Sequence, residues 1–223
     1  MRSHQLLDYR PPADEGWEPL WLDEHLLVVD KPSGLLSVPG RGEAFADCMA
    51  SRVQQRYPDA LIVHRLDMDT SGLLLMARGK DMQRRLSDLF LRREVHKRYV
   101  AVLQGVMQQG DGLVDLPLIT DWPNRPRQKV DLELGKPSQT RYGVQARDEL
   151  ALTTRVELEP ITGRSHQLRV HMQAIGYPIV GDPLYASATG PWPQSRLHLH
   201  AASLTFPHPV SGQILSISSE VPF

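Results

Sequence analysis

Residues 61–77 read Leu61-Ile-Val-His-Arg-Leu-Asp-Met-Asp-Thr-Ser-Gly-Leu-Leu-Leu-Met-Ala77, with two short apolar runs on either side of a polar turn. Apolar runs of this length, bounded by a Thr-Ser-Gly turn, are typical of strands. Asp67 lies in the turn, where its side chain can project into a cleft or accept a hydrogen bond from the N–H of Ser71 or Gly72. The residues alone leave a functional aspartate and an ordinary turn aspartate equally open.

The segments around this stretch consist mostly of strand patterns. Leu26–Val29 is an apolar run that ends in a turn at residues 31–34, and further strand patterns occupy residues 99–103, 139–144, 152–158, 197–206 and 213–218. Helical periodicity is found at residues 80–93, through Met82, Leu86, Leu89 and Phe90, and at residues 165–175, with Gly176 as the stop. Because strands outnumber helices and do not alternate with them, the sequence predicts an α+β fold with a mixed, largely antiparallel central sheet flanked by helices and loops.

The composition is that of an ordinary globular protein, with 223 residues, 41% of them hydrophobic and 23% charged. A chain of this length forms one large or two small domains. The single cysteine, Cys48, cannot form an internal disulfide bond, and no apolar run approaches the ~20 residues of a membrane span. The first ten residues also lack the apolar core of a secretory signal. We therefore expect a cytoplasmic protein with no membrane partner and no evident obligate protein partner.

The formal net charge of −1 averages over segments of opposite sign. Residues 1–30 carry seven acids against two arginines, whereas residues 78–98 carry eight bases against three acids. A second basic stretch, Trp122-Pro-Asn-Arg-Pro-Arg-Gln-Lys129, sets cations beside an aromatic residue. One basic run alone is typical of a solvated helix face, but two runs favour an anionic ligand. RNA is the partner that this distribution indicates, and Arg125, Arg127 and Lys129 are candidate contacts.

Motifs for common cofactors and metals are missing. The sequence has no G-x-x-x-x-G-K-[ST] loop, and Gly40-Arg-Gly42 is followed by Phe45 where a dinucleotide-binding motif needs glycine or alanine. His198-Leu-His200 and the pair His166 and His171 do not match a zinc-binding pattern. We therefore expect neither a cofactor nor a metal ion.

A phosphatase is one alternative. Asp67-Met-Asp69 resembles the D-x-D loop of Mg²⁺-dependent aspartyl phosphatases, which also need a further acidic pair near a later strand. Asp182 is a lone acid at the place where that pair is expected, so the pattern is incomplete. A non-catalytic RNA-binding module, in which Asp67 is only a turn residue, is the other alternative.

Four motifs, in order along the chain, resemble the RluA family of pseudouridine synthases. They are Asp30-Lys-Pro-Ser-Gly34, similar to K-P-x-G; His64-Arg-Leu-Asp-Met-Asp-Thr-Ser-Gly72, similar to H-R-L-D-x-x-T/S-S-G; Lys97-Arg-Tyr-Val-Ala101, similar to K-x-Y-x-A; and Gly163-Arg-Ser-His-Gln-Leu-Arg-Val-His171, similar to G-R-T/S-H-Q-I/L-R-x-H. The resemblance covers about residues 20–220. It implies the pseudouridine synthase catalytic fold and an isomerase that converts uridine in RNA to pseudouridine without a cofactor.

The resemblance assigns catalytic roles to three residues. Asp67 corresponds to the catalytic aspartate, Arg169 to its cationic partner and Tyr99 to the residue under the uracil ring. The ordinary alternatives are a surface ion pair for Arg169 and a core position for Tyr99. A tyrosine with a pKa of about 10 is a poor base near neutral pH, so stacking and hydrogen bonding are the expected roles of Tyr99.

The same resemblance implies contacts with a flipped-out substrate. Arg65 corresponds to the arginine that takes the place of the flipped base, and Arg164, just before a helix, suits a phosphate. His64 has either a backbone contact with RNA or a structural role. Lys31 is expected to add positive potential or packing.

Two further stretches, residues 36–40 and 115–129, resemble the branch of the family that acts on both 23S rRNA and tRNA. A stem-loop uridine in both RNAs, in tRNA the anticodon stem-loop, is therefore the expected substrate, with a single-substrate enzyme as the alternative. Residues 1–16 are predicted to form a loosely ordered arm and residues 17–223 the catalytic domain. About 30 residues precede the K-P-x-G motif, too few for the S4-type RNA-binding domain of several relatives.

Overall fold

The computed structural model describes residues 9–187, 189–192 and 195–223. The elements of its first half are β1 (Trp21–Leu22), β2 (Leu26–Lys31), α1 (Met49–Arg56), β3 (Ala60–Ile62), β4 (Ser71–Arg78) and α2 (Gly79–Leu91). Those of its second half are β5 (His96–Gln104), β6 (Asp111–Asp115), β7 (Leu118–Thr120), β8 (Gln128–Val130), β9 (Gln139–Asp148), β10 (Thr153–Pro160), α3 (Gln167–Ala174), β11 (Leu199–Pro207) and β12 (Ile214–Ser218). The two predicted helices are α2 and α3, and Gly176 follows α3 at φ +90° as expected of a helix stop.

Ten strands of the described residues form one mixed sheet. Its order is β1-β2-β4-β11-β5-β10-β9-β6, with β3 added to β4 and β12 added to β11. The pairing of β4 with β11 is parallel and the other strand pairs are antiparallel, whereas β7 and β8 form a separate hairpin. The predicted α+β class and the largely antiparallel sheet are confirmed.

Strand β4 is buried on both faces, which explains its continuous apolar sequence. Leu73 and Leu75 pack in the cluster that contains Leu86 and Leu89 of α2. Leu74 and Met76 face the opposite side and pack in the cluster that contains α1. The sheet centre is therefore enclosed between two helices, and the polar turn before β4 is the part of residues 61–77 that remains accessible.

The join between β4 and β11 requires a glycine. Gly72 has φ +109°, and a Cβ at this position would lie 2.4 Å from the carbonyl oxygen of Ala201. Beside it, the Oγ of Ser71 accepts a hydrogen bond from Nη2 of Arg196 at 2.7 Å and hydrogen bonds with Nδ1 of His200 at 2.9 Å. The main chain that leaves the polar turn is therefore fixed against β11.

Residues 1–8 of the predicted arm lie outside the described residues. The following residues contact the body of the fold: the Tyr9 hydroxyl donates to the carbonyl of Asp47 at 2.9 Å, and the carbonyl of Pro12 accepts from Nη2 of Arg52 at 2.6 Å. Within the described part of the chain, no helix is both long and apolar enough to cross a bilayer.

Candidate active site

The turn at residues 63–70, called the Asp67 loop below, is fixed from beneath by Lys31. This side chain is fully buried, and its Nζ donates to the carbonyl oxygens of Pro32, Leu35 and Met68 at 2.7–2.9 Å. Burial lowers the pKa of Lys31 to about 7. Because its N–H donors are directed at main-chain carbonyls, Lys31 supports the Asp67 loop and does not reach a surface that RNA can contact. The expectation of a packing role fits this geometry, and a direct RNA contact does not.

Asp67 presents its carboxylate to a cleft. Its main-chain carbonyl accepts from the N–H of Thr70 at 3.2 Å, which closes the turn, and buried Leu66 is hydrogen-bonded through both main-chain groups to Ser37. The carboxylate, 27% exposed, lies 3.4 Å from Nη1 of Arg169. The side chain of Asp67 therefore does not stabilise the turn, and it faces a cation.

Arg169 is buried on α3 and is held by a second carboxylate. Its Nε and Nη2 donate to the two oxygens of Asp182, each at 2.7 Å, so that Nη1 remains for Asp67. Burial acts to lower the pKa of Arg169, but the hydrogen bonds and charge of Asp182 outweigh it and raise the pKa above its usual value. A bidentate ion pair of this kind fixes the plane of the guanidinium and stabilises its positive charge. Arg169 is thus a permanent, oriented cation beside Asp67.

Asp182 has no capacity left for another ligand. Its side chain is fully buried, and Oδ1 also accepts from the N–H groups of Leu184 and Tyr185 at 2.9 and 3.1 Å. The lone acid that the phosphatase alternative required is therefore the partner of Arg169. Among the described residues, no group of three or more His, Cys, Asp or Glu side chains could hold a metal ion.

Tyr99 on β5 lines the same cleft. Burial, together with the charge of Asp67, raises the pKa of Tyr99 above its usual value. The hydroxyl is therefore protonated at neutral pH, which makes it a hydrogen-bond donor and a poor base.

His166 lines the cleft beside Asp67, and Tyr185 contacts His166 from outside the lining. Nε2 of His166 lies 3.9 Å from Oδ1 of Asp67, and Nδ1 is 2.8 Å from the Tyr185 hydroxyl. The same hydroxyl accepts from the N–H of Gln128 at 2.7 Å, and the Tyr185 ring lies 5.2 Å from the guanidinium of Arg169. His166 has φ +54°, a left-handed conformation that residues other than glycine seldom adopt.

The cleft has a volume of about 810 Å³ and brings together most of the predicted site residues. Its lining contains Asp67, Tyr99, Arg169, Arg65, His64 and Arg164, and it also contains Arg93, Lys97 and Arg141. Arg65 and Arg164 are exposed at its surface. Guanidinium and ammonium groups therefore surround an opening that leads to the carboxylate of Asp67, while Glu159, the other carboxylate of the lining, pairs with Arg141.

His64 supports the Asp67 loop through contacts with β4 and α2. Its Nε2 accepts from the N–H of Leu75 at 2.9 Å, and its ring stacks on Phe90 with centroids 4.7 Å apart. Burial, with a smaller contribution from Lys97, lowers the pKa of His64 to about 3, so the ring is neutral. Of the two predicted roles, the geometry favours the structural one.

The remaining predicted contacts lie on the β7–β8 hairpin, outside the lining of the cleft. The guanidinium of Arg125 stacks on Trp122 at 4.3 Å, and Trp122 is 65% exposed. Nη2 of Arg127 donates to the carbonyl of Leu184, and Lys129 pairs with Asp131 at 3.4 Å. The hairpin therefore presents a cation and an aromatic ring to solvent and contacts the segment that contains Asp182.

Three residues of this site were not predicted as site residues, and their sequence signals differ. His166 was visible inside the fourth motif, beside Arg169. Asp182 was visible only as a lone acid of unknown partner. Tyr185 had no signal, because its contacts come from segments distant in the sequence.

Solved structures with the same mixed sheet belong to RNA pseudouridylate synthase proteins. The structure is similar to Human RNA Pseudouridylate Synthase Domain Containing 1, with a TM-score of 0.80 and 29% identity over 96% of this chain and 87% of that one. Human RNA Pseudouridylate Synthase Domain Containing 4 gives a TM-score of 0.71 and 26% identity over 92% and 88%.

The sequence comparisons agree. Residues 25–174 match the family described as RNA pseudouridylate synthase. The chain is 51% identical over 218 residues to the Dual-specificity RNA pseudouridine synthase RluA of Escherichia coli strain K12, covering 97% of this chain and 98% of the relative. It is 53% identical over 217 residues to the protein of the same name from Salmonella typhi, covering 96% and 97%. The chain belongs to the RNA pseudouridylate synthase family and is an isomerase that acts on RNA.

Proposed function

We propose that this enzyme isomerises uridines in stem-loops of two kinds of RNA, 23S rRNA and tRNA, and that the anticodon stem-loop is its tRNA target. Support for two substrates comes from the relatives at 51–53% identity, which are named dual-specificity RNA pseudouridine synthases. The proposal includes residues 17–223 as the catalytic domain and a cytoplasmic location, where both RNAs are found. An enzyme with one RNA substrate is the alternative.

The oriented pair of Asp67 and Arg169 is the observation that carries the chemistry. The reaction breaks the N1–C1′ bond of uridine and joins C5 of the rotated uracil to C1′. Attack on C1′ and removal of the C2′ proton are the two routes, and each needs an ionised carboxylate at the ribose. Nη1 of Arg169, 3.4 Å from Asp67, stabilises that form inside a cleft where water is displaced by substrate.

Tyr99 acts on the uracil as a stacking surface and a donor. Because its raised pKa keeps the hydroxyl proton in place, Tyr99 is a poor acceptor for the C5 proton of uracil. A uridine paired or stacked in a loop reaches Asp67 only after it is turned out of the stack. Arg65, exposed at the cleft mouth, is the side chain proposed to fill the vacated position, since a guanidinium stacks on bases and binds phosphate at once.

The RNA-binding surface is proposed to extend from the cleft to the β7–β8 hairpin. Arg164 and the other cations of the cleft contact phosphates near the flipped nucleotide, and Arg125 with Trp122 contacts the stem-loop further away. Stacking between Arg125 and Trp122 leaves a flat face of 65% exposed indole on which an unpaired base can stack.

Tritium release from RNA labelled at uridine C5 tests the catalytic assignment, because isomerisation expels that hydrogen. The wild-type enzyme is expected to release tritium, and Asp67→Asn is expected to release none above background. Asp69→Asn is the matched control in the same loop: Asp69 does not line the cleft, so activity is expected to be retained. Full activity of Asp67→Asn would overturn the assignment.

The two-substrate proposal is tested by mapping pseudouridines in total RNA from a deletion strain. We expect missing sites both in a tRNA anticodon stem-loop and in a large-subunit rRNA hairpin, each restored by the wild-type gene. Loss in only one RNA would establish the single-substrate alternative.

A further inference from the structure

The hydroxyl of Tyr185 has two hydrogen-bond partners among the described residues, and they differ in kind. The N–H of Gln128 can only donate, so the Tyr185 oxygen accepts that bond at 2.7 Å. Nδ1 of His166, at 2.8 Å, is able to accept. Burial raises the pKa of Tyr185 to about 12, so the hydroxyl keeps its proton. That proton is therefore directed to Nδ1 of His166.

This arrangement determines which nitrogen of His166 carries hydrogen. Burial lowers the pKa of His166, so the ring is neutral and has one N–H. With Nδ1 accepting from Tyr185, that hydrogen lies on Nε2, the atom that faces Asp67.

Each oxygen of the Asp67 carboxylate then faces its own donor. Oδ2 lies 3.4 Å from Nη1 of Arg169, and Oδ1 lies 3.9 Å from Nε2 of His166. The second distance exceeds a hydrogen bond by less than 1 Å, and catalytic hydrogen bonds often shorten when substrate is bound. Two donors on different oxygens fix the rotation of a carboxylate, whereas one donor leaves it free to turn.

We propose that Tyr185 holds His166 as the Nε2–H tautomer, and that His166 is a second positioning residue for Asp67, opposite Arg169. The inference rests on the proposed role of Asp67. Tyr185 also contacts the β7–β8 hairpin through Gln128, so two hydrogen bonds join the hairpin to His166, whose Nε2 lies 3.9 Å from the carboxylate.

The backbone of His166 fits this role. A left-handed conformation is costly for a residue with a Cβ, and it persists where surrounding contacts determine it, commonly at active sites. At φ +54° and ψ +16°, immediately before α3, it places the ring in the cleft while Arg169 on the same helix reaches Asp67 from the other side. Asparagine, with its short polar side chain, tolerates this conformation better than glutamine does. Substituting each of the two at position 166 therefore gives a discriminating test.

Tyr185→Phe removes the hydroxyl and keeps the ring beside Arg169. We expect kcat in the tritium-release assay to fall about tenfold, the loss of one hydrogen bond, with KM for RNA changed less than twofold. In ¹⁵N-histidine NMR spectra, His166 of the wild type is expected to show the Nε2–H tautomer, and Tyr185→Phe a mixture of both. A wild-type His166 protonated on Nδ1, or an unchanged kcat in Tyr185→Phe, would overturn the proposal.

A pair of substitutions at His166 separates positioning from a merely structural role. The amide of His166→Gln reaches the place of Nε2, whereas that of His166→Asn reaches only the place of Nδ1 but suits the backbone better. Positioning predicts that the glutamine variant keeps at least fivefold more kcat than the asparagine variant. A structural role predicts the reverse order, both in kcat and in melting temperature.

Two further variants complete the experiment. Tyr142→Phe removes a hydroxyl that donates to Oε1 of Gln109 at 2.9 Å outside the cleft, and it is expected to leave kcat unchanged. Asp67→Asn is measured beside it. If Asp67→Asn is inactive while the Tyr185 and His166 variants match the wild type, this inference fails alone; if Asp67→Asn is active, the proposed function fails.

Discussion

Replacing Asp182 with asparagine tests how Arg169 is supported. Asp182 accepts from Nε and Nη2 of Arg169 at 2.7 Å and from two main-chain N–H groups, and its side chain is fully buried. Asparagine keeps the shape and one acceptor oxygen. It removes the negative charge and turns an N–H₂ group toward one of the donors of Arg169.

The expected loss of stability follows from the burial of both partners. Removing one member of a buried ion pair costs about 3–5 kcal/mol, because the other charge remains without compensation. Asp67, 3.4 Å from Nη1, compensates part of the charge of Arg169, so we expect a loss near the lower limit, about 3 kcal/mol. A guanidinium that is free to rotate no longer holds Asp67 in place, and a misplacement of about 1 Å reduces kcat by roughly 100-fold.

Urea unfolding and single-turnover tritium release measure the two effects on the same protein. The matched control is Asp148→Asn, since Asp148 also accepts from two main-chain N–H groups, of Leu150 and Ala151, and these residues are exposed. The control is expected to lose less than about 1 kcal/mol and to keep its kcat. An Asp182→Asn variant that unfolds at the wild-type urea concentration, with kcat within threefold of wild type, would refute the reasoning.

Three further predictions concern the Asp67 loop, the sheet junction and the hairpin. The pKa of His64 is about 3 in the folded protein and about 6.5 in the unfolded chain. As pH falls between these values, the unfolded state alone binds a proton, and the free energy of unfolding falls by about 1.4 kcal/mol per pH unit. His64→Gln cannot bind this proton, so its loss of stability in urea between pH 6.5 and 5 is expected to be about 2 kcal/mol smaller than that of the wild type. An equal loss would contradict the neutral, buried ring. Gly72→Ala places a Cβ 2.4 Å from the carbonyl of Ala201 at φ +109°, which should destabilise the fold by about 3 kcal/mol and lower the melting temperature; an unchanged melting temperature would show that the junction is looser than described. Arg125→Ala should reduce the slope of log Kd against log salt by about 0.7–1 while kcat at saturating RNA is unchanged, and an unaltered slope would remove Arg125 from the RNA surface.

Much of the fold was predictable because its elements follow local rules. Helix α2 has the apolar spacing of a partly buried helix, and β4 has the continuous apolar run of a strand covered on both faces. Helix α1 was not predicted, since its eight residues are short and its N-cap is Cys48, which bonds with Ser51, a pairing outside the usual capping residues.

The site was predictable only as far as its motifs reached. Asp67, Tyr99 and Arg169 were predicted through the family resemblance, and the structure brings them to one cleft. The partnership of Asp182 with Arg169 depends on how the chain folds back after α3, and no periodicity encodes it. For Lys31 the sequence left positive potential and packing open, because a lysine in a turn resembles a surface cation until the carbonyls around it are known.

The parallel contact between β4 and β11 has a consequence for how an active molecule arises. Among the described residues, β11 is the strand that links the two halves of the sheet, and Ser71 lies 129 positions before its partner His200. Asp67 belongs to the first half, and α3, with Arg169, packs on the second. The two side chains cannot meet until β11 has been synthesised and inserted, so assembly of the carboxylate–guanidinium pair is among the most non-local events in folding. A growing polypeptide that still lacks β11 therefore has no assembled pair of Asp67 and Arg169.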